Sequence, residues 1–365
     1  MTSGLINSDI GIATAGFNGN LGDQALLRCL ESAIQGVGLK SNALDYTQAA
    51  KGAIASRPLI MGGGELGDNY HFETISRIQP NPHYCTAIGI SPANTFLQTP
   101  APALIDYLRE VPKIFVRNKS GARSLGALLG SSNVNYAPDI TFSIYDEPWM
   151  QKRLSARTNE STRKRKILGI NVVPFYLSYT RNGTFKESND LAQFLALSSP
   201  NFDLTAAAKG YIESIQEIVR FYSAKGYLIR YFPFSLPDEI FGSLIDPFAP
   251  RRTVKCRGSF LSAIEKIATC DLFIASRFHA HIAAMIAGVP LISIGTSSKN
   301  IQLMNDLSLP SGVPREEFQS PISAIALLKS AERILVEPKT MLALGNASRT
   351  AILDSINALI ANSLK

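Results

Sequence analysis

The chain has 365 residues, 45% of them hydrophobic and 18% charged, with a formal charge of +7 and a mean hydropathy of +0.07. Those values exclude a disordered tail and a bundle of membrane spans, and the length suits two domains better than one. Residues 280–295 come nearest to a spanning helix but are interrupted by His281 and Pro290, and the first nine residues lack the basic flank and apolar run of a signal peptide, so a cytoplasmic protein is expected.

Taken in order, residues 10–15 read as a strand and 22–34 as a helix, joined by a Gly/Asn-rich turn that contains Asn20, Gly22 and Asp23. Asn20 or Asp23 suits the helix cap, and the glycines let backbone approach a ligand. A short strand at 58–61 runs into Gly62-Gly63-Gly64, whose amides can form an anion-binding concavity or simply a tight turn. Strands at 87–90, 113–116 and 133–136 alternate with helices at 103–109 and 120–129. Arg117 ends one of these strands just before a helix cap at Asn118 or Ser120, where it can clamp an anion or form an ion pair. Strand–helix alternation of this kind argues for a parallel sheet covered on both faces.

Residues 151–166 break the pattern with seven Lys or Arg against one Glu, and read as a basic linker. Alternation restarts at 167–173 and continues through a helix at 204–224, with Ile212, Ile215, Ile218, Val219 and Tyr222 at helical spacing. Strands follow at 227–231, 271–275 and 291–294, with helices at 260–268 and 278–287. A last Ala/Leu-rich helix at 341–364 could pack back across the first domain. The expected architecture is α/β, with two doubly wound Rossmann-like domains facing a cleft: 1–150, then after the linker 167–340, with 341–365 as the returning helix.

Charge and cysteine usage narrow the partners. Arg251, Arg252, Lys255 and Arg257 form a second basic group, and outside the two groups the chain is weakly acidic. A nucleic-acid binder would show a broader basic stripe interleaved with aromatics, so anionic small molecules or an anionic membrane surface are the better candidates. The basic linker fits such a membrane surface and fits equally a solvated interdomain segment. Cys29, Cys85, Cys256 and Cys270 share no C-x-x-C spacing, so a reduced compartment without a structural metal is the plain reading.

In open parallel sheets, ligands gather outside the carboxyl ends of the strands. The strongest signal at such a place is Ser276-Arg277-Phe278-His279, between a strand and an apolar helix that ends at Gly288-Val289-Pro290. Arg277 offers a planar fork for carboxylate or phosphate, and His279 can exchange a proton near neutral pH. Lys299 follows the next strand and can reach the same crevice. His281, two residues on in a helix, points away from His279 and reads as a core histidine. No G-x-S-x-G, H-E-x-x-H, EF-hand loop or D-x-D is present.

Together these loops resemble the polysaccharide pyruvyl transferase family. The resemblance is carried by Asn20, Gly22 and Asp23; by Gly62–Gly64; by Gly89 with Pro92; by Val116-Arg117 with Ser120; and by Pro138-Asp139. In the second half it is carried by Gly169-Ile170-Asn171, by Phe232-Pro233-Phe234 with Asp238, and by Arg277, His279, Ala284, Gly288, Pro290 and Lys299. Asn118 stands where the family often has Asp, and Gly295-Thr296-Ser297-Ser298 where it often has an aromatic-rich stretch.

The resemblance implies a B-type glycosyltransferase fold. It also implies transfer of pyruvyl from phosphoenolpyruvate, as donor substrate and without a cofactor, onto sugar hydroxyls of a polysaccharide or lipid-linked oligosaccharide. On that reading His279 and Arg277 are catalytic, and Arg117 and Lys299 contact the donor. Asn20, Asp23, Gly62, Gly63 and Gly64 line the acceptor side. A nucleotide-sugar glycosyltransferase and a non-catalytic carbohydrate-binding protein are the alternatives.

Overall fold

Short apolar runs flanked by turn residues form two parallel sheets whose inner strands are buried on both faces, while the edge strands are only partly buried. The computed structural model describes residues 10–14, 19–45, 58–62, 66–149, 151–152, 165–174, 177–179, 185–187, 202–256 and 258–363. Gly63, Gly64, Arg257 and most of the basic linker lie outside the described residues. The chain divides into two units, Met1–Met150 with Pro338–Lys365, and Gln151–Glu337.

The first unit runs β1 (Ile10–Thr14), α1 (Leu21–Gly36), β2 (Ser41–Asp45), β3 (Leu59–Gly62), α2 (Asn69–Ile78) and β4 (Cys85–Ile90). It continues through α3 (Asn94–Gln98), α4 (Pro102–Glu110), β5 (Ile114–Val116), α5 (Lys119–Leu129) and β6 (Val134–Tyr136). Its six strands lie in the order β2-β1-β3-β4-β5-β6, all parallel. The order reverses direction between β1 and β3. One core, on Leu59, Met61, Phe72, Phe96 and Val116, covers one face of the sheet. The other joins Ile10, Ile12, Leu26, Leu30 and Ile88 to Ala351, Ile352, Ile356 and Leu359 of the final helix.

The second unit comprises β7 (Ile167–Ile170), the short antiparallel pair β8 (Leu177–Tyr179) and β9 (Phe185–Glu187), α6 (Leu204–Ala224), β10 (Leu228–Tyr231), α7 (Leu236–Ile245) and α8 (Ala249–Arg252). Then come α9 (Phe260–Ile267), β11 (Leu272–Ala275), α10 (Phe278–Ala287), β12 (Leu291–Gly295), α11 (Ser298–Asp306), β13 (Val313–Pro314) and α12 (Pro321–Ser330). Its sheet order is β10-β7-β11-β12-β13, again parallel, with the reversal between β7 and β11. Gly169 sits in the middle of this sheet because a Cβ there would meet the Phe273 ring at 2.5 Å and the Cys270 sulfur at 2.9 Å.

The final helix, α13 (Pro338–Ser363), belongs to the first unit. Ser348 Oγ donates to the Asp139 carbonyl at 3.0 Å, and Arg349 donates to the carbonyls of Ser143 at 2.7 Å and Tyr145 at 3.0 Å. These bonds tie the helix to the turn that follows β6. Several elements escape the sequence pattern. β2 is a half-buried edge strand of mixed polarity, β13 has two residues, and α7 is apolar on its outer as well as its inner face.

Candidate active site

The carboxyl edge of the second sheet collects the predicted catalytic residues at its reversal point. Asn171 follows β7 there, buried, and its amide bridges the neighbouring strand ends. Its Nδ2 donates to the Phe232 carbonyl at 2.9 Å and its Oδ1 accepts the Arg277 backbone N–H at 2.9 Å. Ser276, one residue earlier, is fixed from three sides. Its hydroxyl meets Tyr211 Oη at 3.0 Å, and its carbonyl accepts from Thr296 Oγ1 at 2.8 Å and Asn300 Nδ2 at 2.6 Å. The turn that presents Arg277 and His279 is thus locked by the strands on either side.

Arg277 occupies the N-cap of α10. Its Nε and a terminal nitrogen donate side by side to Asp238, at 2.7 and 2.5 Å, and the same terminal nitrogen donates to Ser235 Oγ at 2.8 Å. Asp238 is fully buried and also accepts the Phe234 backbone N–H at 2.9 Å, whereas the Arg277 side chain keeps 26% exposure. A bidentate pair of this kind fixes the plane of the guanidinium. His279, in the first turn of α10, is buried with its ring edge-on to Phe278 and Phe260, at centroid distances of 5.1 and 6.3 Å. Lys299 lies in the first turn of α11, which starts from the carboxyl end of the adjacent β12.

Three helices, α7, α10 and α11, therefore begin at this edge, and none has a side-chain cap on its first turn. Ser235, the N-cap residue of α7, is turned to Arg277 instead. Elsewhere Asn20, Asp68, Asn118, Asp203 and Ser259 each cap a helix, whereas α3, α4, α8 and α12 also start without a side-chain cap. Uncapped N–H groups and the positive end of the helix dipole favour an anion at such an edge.

His281 takes a different place from His279. Its Nδ1 is 2.7 Å from the Arg277 carbonyl and its Nε2 is 2.9 Å from Ser293 Oγ. The carbonyl can only accept, so the proton sits on Nδ1 and Ser293 donates to Nε2. Burial pulls its pKa from 6.5 to about 4, which keeps the ring neutral. His281 is a structural pin between α10 and β12, as its spacing from His279 implied.

In the first unit the reversal point is flanked by Asn20 and Gly62. Asn20 caps α1 by accepting the Gly22 N–H at 2.9 Å, and Asp23 lies in the same first turn. Gly62 ends β3 where a Cβ would meet Leu30 at 2.8 Å and Ile88 at 3.1 Å. The motif glycine Gly89 takes φ +68° where the β4–β5 register shifts between Ile88 and Ile90, and Leu66-Gly67 then bonds to Ser91 and Ala93.

Arg117 follows β5 but is buried, with its side chain 4% exposed and 3.7 Å from Asp139. Asp139 also accepts from the Thr141 N–H and hydroxyl at 3.0 and 2.6 Å. Asn118, rather than Ser120, caps α5. The structure thus groups Arg277, His279 and Lys299 on one edge, and Asn20, Asp23 and Gly62 on another. It sets Arg117 under the surface of the first unit.

The partners Asp238, Ser235, Asn171 and Asp139 carried no role in the sequence reading. Three of them stood in motif segments already singled out, but the pairing depends on strand order. Asn300 carried no signal at all. Among the described residues no group of His, Cys, Asp or Glu side chains is placed to hold a metal ion.

Comparison with known proteins agrees with this architecture. The chain is similar in fold to the UDP-GlcNAc 2-epimerase of Methanocaldococcus jannaschii, with a TM-score of 0.51 and 8% identity over 93% of this chain and 98% of that one. A Listeria monocytogenes protein described as a UDP-N-acetylglucosamine 2-epimerase gives 0.51 and 11% identity, with 97% of each chain covered. At such identities the likeness concerns the fold, two Rossmann-like units of the GT-B kind. No curated protein sequence matches. The profile of the family "Polysaccharide pyruvyl transferase" matches residues 20–298, from the Asn20 cap to the start of α11, and the chain belongs to that family.

Proposed function

We propose that the second unit binds phosphoenolpyruvate at the edge formed by Arg277, His279 and Lys299. Its pyruvyl group is then transferred to sugar hydroxyls as a ketal. The observation that carries this reading is the bidentate Arg277–Asp238 pair at the reversal point, amid three helix N-termini without side-chain caps. The donor carries a carboxylate and a phosphate. A guanidinium held in one plane, an ammonium and the positive ends of helix dipoles are what such an anion needs.

The reaction balances without a redox partner or further cofactor. The donor's methylene carbon takes a proton and C2 gains oxocarbenium character. A first hydroxyl adds there, the C2–O bond to phosphate breaks, and a second hydroxyl closes the ketal. One hydroxyl proton ends on the methyl group and the other leaves with phosphate. In this scheme His279 moves the proton, for which a contribution of about 10²–10⁴-fold is typical. Arg277 and Lys299 hold the anionic groups. Arg117 acts from beneath, through Asp139, to set the carboxyl edge of the first unit. Asn20, Asp23 and the Gly62–Gly64 segment line the acceptor side.

We take the acceptor to be a polysaccharide or a lipid-linked oligosaccharide and place the reaction in the cytoplasm, with residues 151–166 available to an anionic membrane face. The test is phosphate release from phosphoenolpyruvate in the presence of sugar acceptors, with a thermal-shift titration alongside. Stabilisation by phosphoenolpyruvate that Arg277→Ala abolishes, with turnover lost in His279→Ala, is expected. Stabilisation by UDP or GDP instead would overturn the reading in favour of a nucleotide-sugar enzyme. Near-normal turnover in His279→Ala would remove that residue from the mechanism.

A further inference from the structure

We propose that the outer face of α7 and α8, in the second unit, docks on an anionic lipid bilayer. The inner face of α7 buries Asp238, Phe241, Gly242 and Ile245. On the outer face Leu236, Ile240 and Leu244 recur every four residues, a spacing that lines them along one ridge, and Phe248 stands just beyond the helix, at the N-cap of α8. Leu236 is 50% exposed, Leu244 58% and Phe248 57%. A helix facing only water would carry Lys or Glu at such positions, and a contiguous apolar ridge marks an interaction surface.

The charge at the C-terminal end of the ridge is basic, while Glu239, half-buried, is the acid at its N-terminal end. Arg251 and Lys255 are exposed at its C-terminal end. Arg252 stacks its guanidinium 5.3 Å from the Phe248 ring centre. Asp246, the nearby acid, is buried and taken up by Arg252 at 2.8 Å, Tyr231 at 3.1 Å and the Phe248 N–H at 2.8 Å. A groove of about 330 Å³ opens beside Phe248, with Gln216, Arg220, Ser223 and Arg252 in its lining together with Asp246, which Arg252 neutralises. It offers guanidinium and amide donors to a headgroup phosphate.

Apolar side chains on a convex ridge, with an aromatic at one end and cations behind it, match the headgroup–acyl boundary of an anionic leaflet. Spanning is not involved, since among the described residues no helix is long and apolar enough to cross a membrane. The same helix starts at Ser235 and Asp238, which hold Arg277. Ten helical residues span about 15 Å, so docking would keep that edge within reach of the headgroups.

The test is co-sedimentation of the full chain with phosphatidylcholine vesicles and with phosphatidylcholine/phosphatidylglycerol vesicles, at low salt and in high salt. Binding to the anionic vesicles alone is expected. Leu244→Ser with Phe248→Ser, and separately Arg251→Glu with Lys255→Glu, should each weaken it by about tenfold or more, with wild-type melting retained. A variant with the cations of residues 151–166 neutralised should retain binding that still responds to those changes. Absence of binding by the full chain would overturn the proposal, as would binding that neither pair of changes affects. A dimer in sedimentation velocity that Leu244→Ser with Phe248→Ser dissociates would overturn it in favour of a second copy.

Discussion

Replacing Asp238 by Asn leaves the shape of the buried partner intact and removes its charge. The carboxylate now meets Arg277 through two bonds of 2.7 and 2.5 Å and also accepts the Phe234 N–H. At a charge separation of about 4 Å and an effective dielectric near 20, the lost attraction is about 4 kcal/mol. Removing one partner of a buried pair typically costs about 3–5 kcal/mol. The Arg277 side chain is 26% exposed and regains some water, so about 2–3 kcal/mol is expected here. For a unit of this size that lowers Tm by roughly 5–10 °C, measurable by calorimetry. Under the proposed reaction the guanidinium also loses its fixed plane, so KM for phosphoenolpyruvate should rise. A double-mutant cycle with Arg277→Gln isolates the pair, and a coupling energy above about 1.5 kcal/mol is expected. A coupling below about 0.5 kcal/mol would show that the pair does not hold this edge together.

Three further outcomes follow from the core. Burial lowers the His281 pKa from 6.5 to about 4, so between those values the unfolded chain takes up a proton that the fold refuses. Stability should be complete above pH 6.5 and fall towards pH 4 by at most about 1.4 kcal/mol per pH unit; urea midpoints of His281→Asn should lose that part of the slope, and an unchanged slope would contradict the assignment. A Cβ added at Gly210 would fall on the Phe318 carbonyl oxygen, where α6 packs against the turn before α12, so Gly210→Ala should cost about 1–3 kcal/mol in urea unfolding. A loss within 0.5 kcal/mol, on the order of a surface change, would show that the contact relaxes freely. Burial pushes the thiols of Cys29 and Cys85 up to about 12 and that of Cys256 up to about 11, so none of the three should react with a thiol reagent at pH 8 until urea unfolds the chain. Rapid labelling of any of them in the native protein would contradict their burial.

The sequence was most legible where side-chain period and turn chemistry agree. α6 coincides with the expected helix because its apolar residues follow helical spacing and Gly226, at φ +82°, closes it; α10, apolar and buried all round, was marked by its unbroken apolar run and by Gly288, at φ +65°, at its end. The sheet strands other than β2 and β13 were legible as short apolar runs, and the turns after β5 and β11 as places for a cation. What could not be read was the partner of each cation. Asp139 follows Arg117 by one strand, and Asp238 precedes Arg277 by more than one element. Only the strand order brings each pair together. α7 was missed because Leu236, Ile240 and Leu244 on its outer face erase the amphipathic period that marks a surface helix.

Strand order also explains why two arginines at similar turns behave differently. Counted within its own unit, β11 is the third parallel strand and lies beside the first, β7, where the sheet reverses; ligands of such sheets gather at that point. Arg277 therefore stands at the reversal point, partly exposed on a fully buried carboxylate. β5 lies two places from the reversal of its own sheet, and Arg117 is enclosed with Asp139. The reversal point of the first unit is flanked by the uncharged Asn20 and Gly62 instead. An anionic donor is best served by the edge with Arg277, His279 and Lys299, and neutral sugar hydroxyls by the edge with Asn20. The proposed division of donor and acceptor between the units thus rests on where each reversal falls relative to the charged side chains.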